Sequence, residues 1–358
     1  MNTTPTLPTE PIGSIPRPLA LVQAIRDADA GRLGPAALDA LYDEAVRDTL
    51  RRFEATGSPV LCDGEQRKNH NFADYAVHGL ANFAPDGFML HFTHHTRQWP
   101  RLTAGPFRYR QRGDQFLAQA QRHTTLPLKQ AVISPSALSL FYPAQALPEY
   151  PREAFIADLL AEHESELRGC LALGAHTVQV DFTEGRLACK IDPSGGLLAR
   201  FIELNNLALD RFSDSDRQRI GIHTCPGGDR DSTHSADVDY AALLPSLFEL
   251  NAGRFFIELA HEPDRPRVLQ MIGRLLKPGQ RAYVGVIDVL DPHIETPQQV
   301  RDRVLEAARC IRPEQLGTTD DCGFCPFCDD TSTSRDTAFA KIAARVEGTA
   351  LASAVLGR

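Results

Sequence analysis

Cys322, Cys325 and Cys328 recur at every third position in the run "DDCGFCPFCDD". Closely spaced thiols of this kind are the usual mark of a self-contained structural zinc site. A second set of residues competes for the first of them. In "IHTC", His223 and Cys225 are two apart, so on a β-strand both project to the same face. "FFIELA" places Glu258 at the end of an otherwise apolar run, where a carboxylate without a partner is costly to bury. The imidazole of His223, the carboxylate of Glu258 and the thiolates of Cys225 and Cys322 form a ligand set suited to tetrahedral Zn2+. Taken alone, His223 reads equally well as a satisfied core histidine. If Cys322 joins this set, Cys325 and Cys328 fall in the loop behind it, as alternative ligands, a redox pair or plain loop thiols.

Something must bring these distant residues together. Short β-branched runs at 10–14, 59–65, 129–135, 176–182, 219–225, 254–260, 282–288 and 316–323 alternate with helix-forming segments at 18–56, 151–171, 196–214, 238–251, 264–276, 297–311 and 333–355. Eight strands separated by helices predict an α/β protein, a closed (β/α)8 TIM barrel in which residues 1–358 form one domain. Residues 66–128 break the repeat, and "MLHFTHHTRQW" and "PFRYRQR" within them read as short strands. The expectation is an insertion after the second strand that covers the barrel mouth. Active sites of such barrels form at the C-terminal strand ends. Nearly every run here ends in a polar residue: Ser14, Asp63 and Glu65, Ser134, Asp181, His223 and Cys225, Glu258, Asp288 and Cys322. Any single Ser or Asp among them also reads as an N-cap.

The totals narrow the function classes. The 358 residues are 42% hydrophobic and 23% charged, and no apolar run approaches the ~20 residues of a membrane-spanning helix. The N-terminus "MNTTPTLPTEPIGSIPRP" lacks a basic segment followed by an apolar one, which points to a cytoplasmic protein. Its eight cysteines then read as buried thiols or metal ligands, with Cys170 and Cys310 in helix-like apolar settings. A net charge of −8 with dispersed arginines argues against a nucleic-acid partner.

The ordered set "IGSIPRP", "DGE", "VQVD", "IHTC", "FIELA", "GVIDVLDP" and "DDCG", spread over nearly the whole chain, resembles the catalytic domain of cobalamin-independent methionine synthases and their thiol-alkylating relatives, in a short, core-only form. The resemblance implies zinc on His223, Cys225, Glu258 and Cys322, and contacts to the amino-acid part of homocysteine from Ile12, Ser14, Glu65 and Asp181. Two carboxylates would pair with the substrate ammonium. Zinc would lower the pKa of the bound thiol, making the substrate sulfur the nucleophile. Glu184, just after Asp181, falls where the family contacts its donor, as do Arg186 and Lys190, which otherwise read as solvated loop charges. On the seventh strand the resemblance points to Asp288. Leu290 occupies the place of the histidine that would protonate a folate leaving group, and His293, three residues on, is the nearest replacement. The folate-stacking tryptophan is also replaced, by Phe141 and Tyr142, and the single tryptophan, Trp99, lies in the insertion.

The resulting expectation is a zinc-dependent thiol methyltransferase, with a homocysteine-like thiol and a methyl or alkyl donor as small-molecule partners and methionine as product. The alternatives are alkyl transfer to another thiol such as coenzyme M, by epoxide opening, or a non-folate methyl donor. A homo-oligomer is compatible with the sequence. Arg335 and Lys341 read as a solvated helix face, and His91, His94 and His95 as a second metal group only if strand alternation does not divide them.

Overall fold

The structure, a computed structural model, describes residues 7–227 and 232–357. Residues 1–6, part of the segment read as lacking an export signal, lie outside the described residues. Six parallel strands form the central sheet: Lys129–Ile133, Thr177–Asp181, Ile220–Thr224, Arg254–Ile257, Arg281–Ile287 and Leu316–Asp320. Each pairs with the next in chain order, and helices cross between them, including Arg152–Ala172, Gly196–Leu209, Arg265–Leu275 and Pro297–Ala308. Almost every strand residue is buried, because helices cover the sheet; this is why the strands read as continuous Val/Ile-rich runs.

The other two expected strands take a different form. The segment at Thr9 makes a single parallel bridge to Thr318 on one sheet edge, and that at Leu61 a single parallel bridge to Leu128 beside the other. The Ile15 amide donates to Gly64 O at 3.0 Å, and the Cys62 thiol to Gly13 O at 3.1 Å, so the two segments also touch each other. Neither becomes a regular strand. Pro8, Pro11 and Pro16 remove ladder donors from the first, and left-handed Gly64 (φ 67°) and Glu65 (φ 57°) turn the second away. Thus the sheet has six regular strands where eight were expected.

The helices follow the predicted spans with several differences, among them a helix Gly113–Ala120 inside the insertion. "GRLGP" splits 18–56 into Leu19–Asp29 and Pro35–Ala55. Pro245 confines 238–251 to a short 3-10 turn and Leu244–Leu247. Glu184–Ile191, read as loop, is a helix, and it buries Arg186. The last helix, Arg335–Val355, is not solvated at Arg335 and Lys341. Arg335 bonds Pro16 O and Asp48, while buried Lys341 donates to Asp288 O (3.0 Å) and Glu295 Oε2 (2.8 Å).

Within 66–128, the first stretch read as strand folds back on itself, Met89–His91 pairing antiparallel with Thr96–Gln98 as a hairpin. "PFRYRQR" forms no strand, since its backbone bonds to Tyr150 Oη and Ala76 O instead of a ladder partner. The insertion has its own core of Tyr75, Trp99, Phe107 and Phe116, packed on Phe141 and Phe155. Its hairpin is tied to the sheet by Thr93 N to Thr233 O (2.9 Å) and a two-pronged Arg97–Asp329 pair (3.0 and 2.9 Å). Among the described residues no helix is long and apolar enough to cross a membrane.

Candidate metal centre and adjoining cavity

Parallel register sets the level of the site. Asp181 pairs with His223, and His223 with Phe256, at the C-terminal ends of three neighbouring strands. The His223 Nδ1 lies 3.2 Å from Phe256 O; a carbonyl only accepts, so Nδ1 carries a proton, and the nitrogen whose lone pair a metal would use is Nε2. That nitrogen faces the Cys322 Sγ at 3.4 Å, and the Cys225 Sγ is 2.9 Å from Cys322. Possible ligand atoms of the three lie within 4.8 Å of one another, all buried. Burial alone would raise the Cys225 thiol, but the hydrogen bond from Cys322 and the nearby imidazole outweigh it and hold Cys225 well below the usual thiol range. Cys322 is pushed up by burial and by donating to Cys225. Two thiols and a preset imidazole nitrogen, withdrawn from water and undivided by any disulfide, fit a zinc ion.

Glu258 is not part of this close cluster. Its Oε2 accepts from Tyr240 Oη (2.8 Å) and Arg186 Nη1 (3.1 Å), and the guanidinium lies over the Tyr240 ring at 4.2 Å. Burial pushes its carboxyl up to about 7, against the pull of Arg186 and Tyr240. The turn after Glu258 is fixed to the Cys322 strand by Asp321, whose carboxylate accepts the amides of Leu259, Ala260 and His261 at 2.7–2.9 Å.

The three-cysteine run is no knot. Cys325 donates its thiol to Phe327 O at 3.1 Å, and Cys328 packs against the Leu21, Ile25 and Tyr42 cluster. Ser14 braces the loop between them: its carbonyl accepts Phe324 N (2.9 Å) and its Oγ accepts Cys325 N (3.2 Å). A Cβ at Gly323 would come within 2.1 Å of that Oγ, so only glycine lets the loop close on Ser14.

A cavity of about 860 Å³, including its open mouth, adjoins the cluster. Ile12, Ser14, Glu65, Asp181 and Glu184 all line it together with His223, Cys225 and Cys322. Glu65 is the one non-glycine residue with positive φ among those described, and Asp63 Oδ1 holds its amide at 2.9 Å. Asp181 accepts from Gln179 Nε2 at 2.7 Å, and burial pushes its carboxyl up to about 6 although Lys68 opposes this. Glu184 Oε1 accepts from Ser134 Oγ (2.5 Å) and from Ser136 Oγ, while its Oε2 is buried without a partner. Ser134 also caps the helix that follows it and does not itself line the cavity. The rest of the wall includes six aromatic residues, from the insertion (Phe72, Phe88, Phe92, Trp99) and from Phe141 and Phe327, beside aliphatic ones such as Leu90 and Leu187 and the imidazole of His234.

Asp288 and His293 do not line this cavity. Asp288 pairs with His261 Nδ1 at 2.9 Å, and His293 is exposed on the loop beyond. Tyr142 turns to Tyr150 O at 2.9 Å, leaving Phe141 and Trp99 at the wall. Among the described residues His91, His94 and His95 form no ligand group; His95 instead meets Ser232 at 3.1 Å. Another grouping, Asp29, His70 and His78, is partly exposed, with its two rings stacked at 4.6 Å.

Sequence reasoning missed Lys68, which is buried with Nζ 3.3 Å from Glu65 Oε2 and a neighbour to Asp181 and Asp63. Its i,i+3 spacing from Glu65 is the signal that could have marked it. Tyr240, on the other side of the strand Arg254–Ile257 from its partner Glu258, carried no such signal.

Comparison with known proteins agrees with this architecture. Residues 7–341 match the model of the cobalamin-independent synthase catalytic domain. Methionine synthase of Sulfurisphaera tokodaii is 26% identical over 351 residues, covering 98% of this chain and 93% of that one. Methionine synthase of Saccharolobus solfataricus is 25% identical over 356 residues, covering 98% and 96%. The fold matches that of a B12-independent methionine synthase from Shewanella sp. W3-18-1, solved with selenomethionine, at a TM-score of 0.78 and 20% identity over 98% of this chain and 99% of that one. With the family model spanning nearly its full length, the chain belongs to the family of cobalamin-independent synthase catalytic domains.

Proposed function

We propose that this protein is a zinc-dependent methyltransferase that methylates the thiol of homocysteine to give methionine. The observation that carries the reading is the convergence of His223 Nε2, Cys225 Sγ and Cys322 Sγ beside a cavity whose wall bears Glu65 and Asp181. The curated relatives of similar length are methionine synthases, which supports the choice of acceptor. In this reading His223, Cys225 and Cys322 hold the zinc, with Glu258 as the fourth ligand. A zinc ion in that set supplies Lewis acidity that makes a bound thiol a thiolate near neutral pH. The chain's residues do the rest. Phe256 O fixes the His223 tautomer, and Gln179 orients Asp181 toward a substrate ammonium. Lys68 offsets part of the negative charge of Glu65 and Asp181, so one added ammonium suffices to balance the corner. The substrate sulfur attacks the donor methyl carbon in line, and the new S–C bond forms as the bond to the leaving group breaks.

We also infer that the segments at Thr9 and Leu61 complete a (β/α)8 barrel, supported by their bridges to opposite sheet edges and by the Ile15–Gly64 hydrogen bond between them. Residues 66–128 then cover its mouth within a single domain. Coenzyme M as acceptor is disfavoured, because its sulfonate would face Glu65 and Asp181.

Metal content tests the reading. The wild type should carry one zinc per chain, and Cys225→Ser or Cys322→Ser well under half of that; full zinc in both variants would remove the proposed centre.

A further inference from the structure

The aromatic part of the cavity wall is unexplained by the acceptor. It presents the rings of Phe72, Phe88, Phe92, Trp99, Phe141 and Phe327. They form two groups: Phe88, Trp99 and Phe141 with mutual centroid distances of 5.9–6.5 Å, and Phe327 with Phe92 and Phe72 at 5.6 and 6.3 Å. The same cavity is lined by the carboxyl of Glu184, whose Oε2 is buried without a hydrogen-bond partner although Ser134 and Ser136 satisfy Oε1, and burial pushes it up to about 7. A cation bound beside this carboxyl would favour its ionised form and draw it below that raised value. No lysine or arginine lines the cavity among the described residues.

We propose that this aromatic arm binds the methyl donor as an onium cation, a sulfonium or quaternary ammonium group, with Glu184 as its counter-charge; the proposal rests on the thiol-methylation reading above. Aromatic faces carry negative quadrupole potential and hold methylated cations that are too weakly hydrated to resist transfer from water. A polyanionic donor would find no cationic side chain on the described wall. The chemistry closes as well. Thiolate attack forms the S–CH3 bond and breaks the CH3–S+ or CH3–N+ bond, and the electron pair stays on the leaving atom. The thioether or amine therefore departs neutral and needs no proton. The donor half-reaction thus does not call on Asp288 or His293, neither of which lines the cavity.

Trp99 is the only tryptophan, so its fluorescence reports on this arm directly. Titration with trimethylsulfonium should give saturable quenching with a Kd about 10-fold or more below that of neutral tert-butanol. Glu184→Gln should raise the cation's Kd about 10-fold and leave the alcohol's unchanged, with an unaltered far-UV circular dichroism spectrum as the check on folding. Equal affinity for cation and alcohol, or a cation Kd unmoved by Glu184→Gln, overturns the proposal. With zinc and homocysteine present, trimethylsulfonium should yield methionine and dimethyl sulfide one for one; bound cation with no dimethyl sulfide, while homocysteine still releases its proton, also overturns it. Proton release on adding homocysteine without any donor tests the acceptor reading separately. Silence there with intact cation selectivity sinks thiol activation alone, and release without cation selectivity sinks the onium donor alone.

Discussion

At the scale of single residues, three of the four proposed ligands owe their position to a second contact. Phe256 O turns His223, Asp321 ties the Glu258 turn to the Cys322 strand, and Ser14 closes the loop behind Cys322. Cys328 has no such role, being packed against the Leu21 cluster, so Cys328→Ser should retain full zinc by metal analysis. Asp181→Asn should keep zinc and raise KM for homocysteine by about 10-fold or more, because it removes a charged partner of the substrate ammonium; an unchanged KM would mean the acceptor is not an amino acid. His223, Cys225 and Cys322 were legible in the sequence because strand parity and strand-end position restrict where such side chains can point. The surroundings of Glu258 were not. Its Arg186 looked like a loop charge, and Tyr240 is joined to it only by the packing of one connection on another.

At the scale of elements, the parallel strands were legible because burial on both faces writes itself as continuous β-branched runs, whereas the edge segments are broken by proline and by a left-handed turn. The Glu184–Ile191 helix was hidden by its charges, which point to partners contributed by distant loops, as Arg186 to Val238 O and Lys190 to Asp237. The last helix is pinned to the loop after Arg281–Ile287 by buried Lys341. Lys341→Met leaves Glu295 Oε2 without its cation, with Arg303 and the Asp288 amide still on Oε1, and should lower unfolding free energy by about 3 kcal/mol in denaturant titration. On the Arg152–Ala172 helix, burial holds His163 at about 3, far below its usual range, so it is neutral in the folded protein. A depressed folded pKa means stability that is present above the unfolded value of 6.5 and is lost as pH falls from there toward 3. Relative to His163→Leu, the wild type should therefore lose up to about 1.4 kcal/mol per pH unit below 6.5; parallel pH profiles would show that the imidazole does not titrate this way.

At the scale of the whole molecule, the sheet supplies the metal ligands and one insertion supplies much of the cavity wall. The insertion's hairpin bonds to the loops that follow both Cys225 and Cys322, so the wall and the centre are mechanically joined. Only the presence of an insertion could be read in advance; which of its aromatic residues face the cavity depends on long-range packing against Phe141 and Phe327 that no local pattern encodes. The account's central claim is that this assembly activates a homocysteine thiol on zinc. The most direct test is to add homocysteine to zinc-loaded protein in weakly buffered solution near neutral pH and measure proton release. The account predicts release of about one proton per zinc, abolished in Cys225→Ser and absent with coenzyme M. Full zinc occupancy with no proton release on adding homocysteine would contradict it.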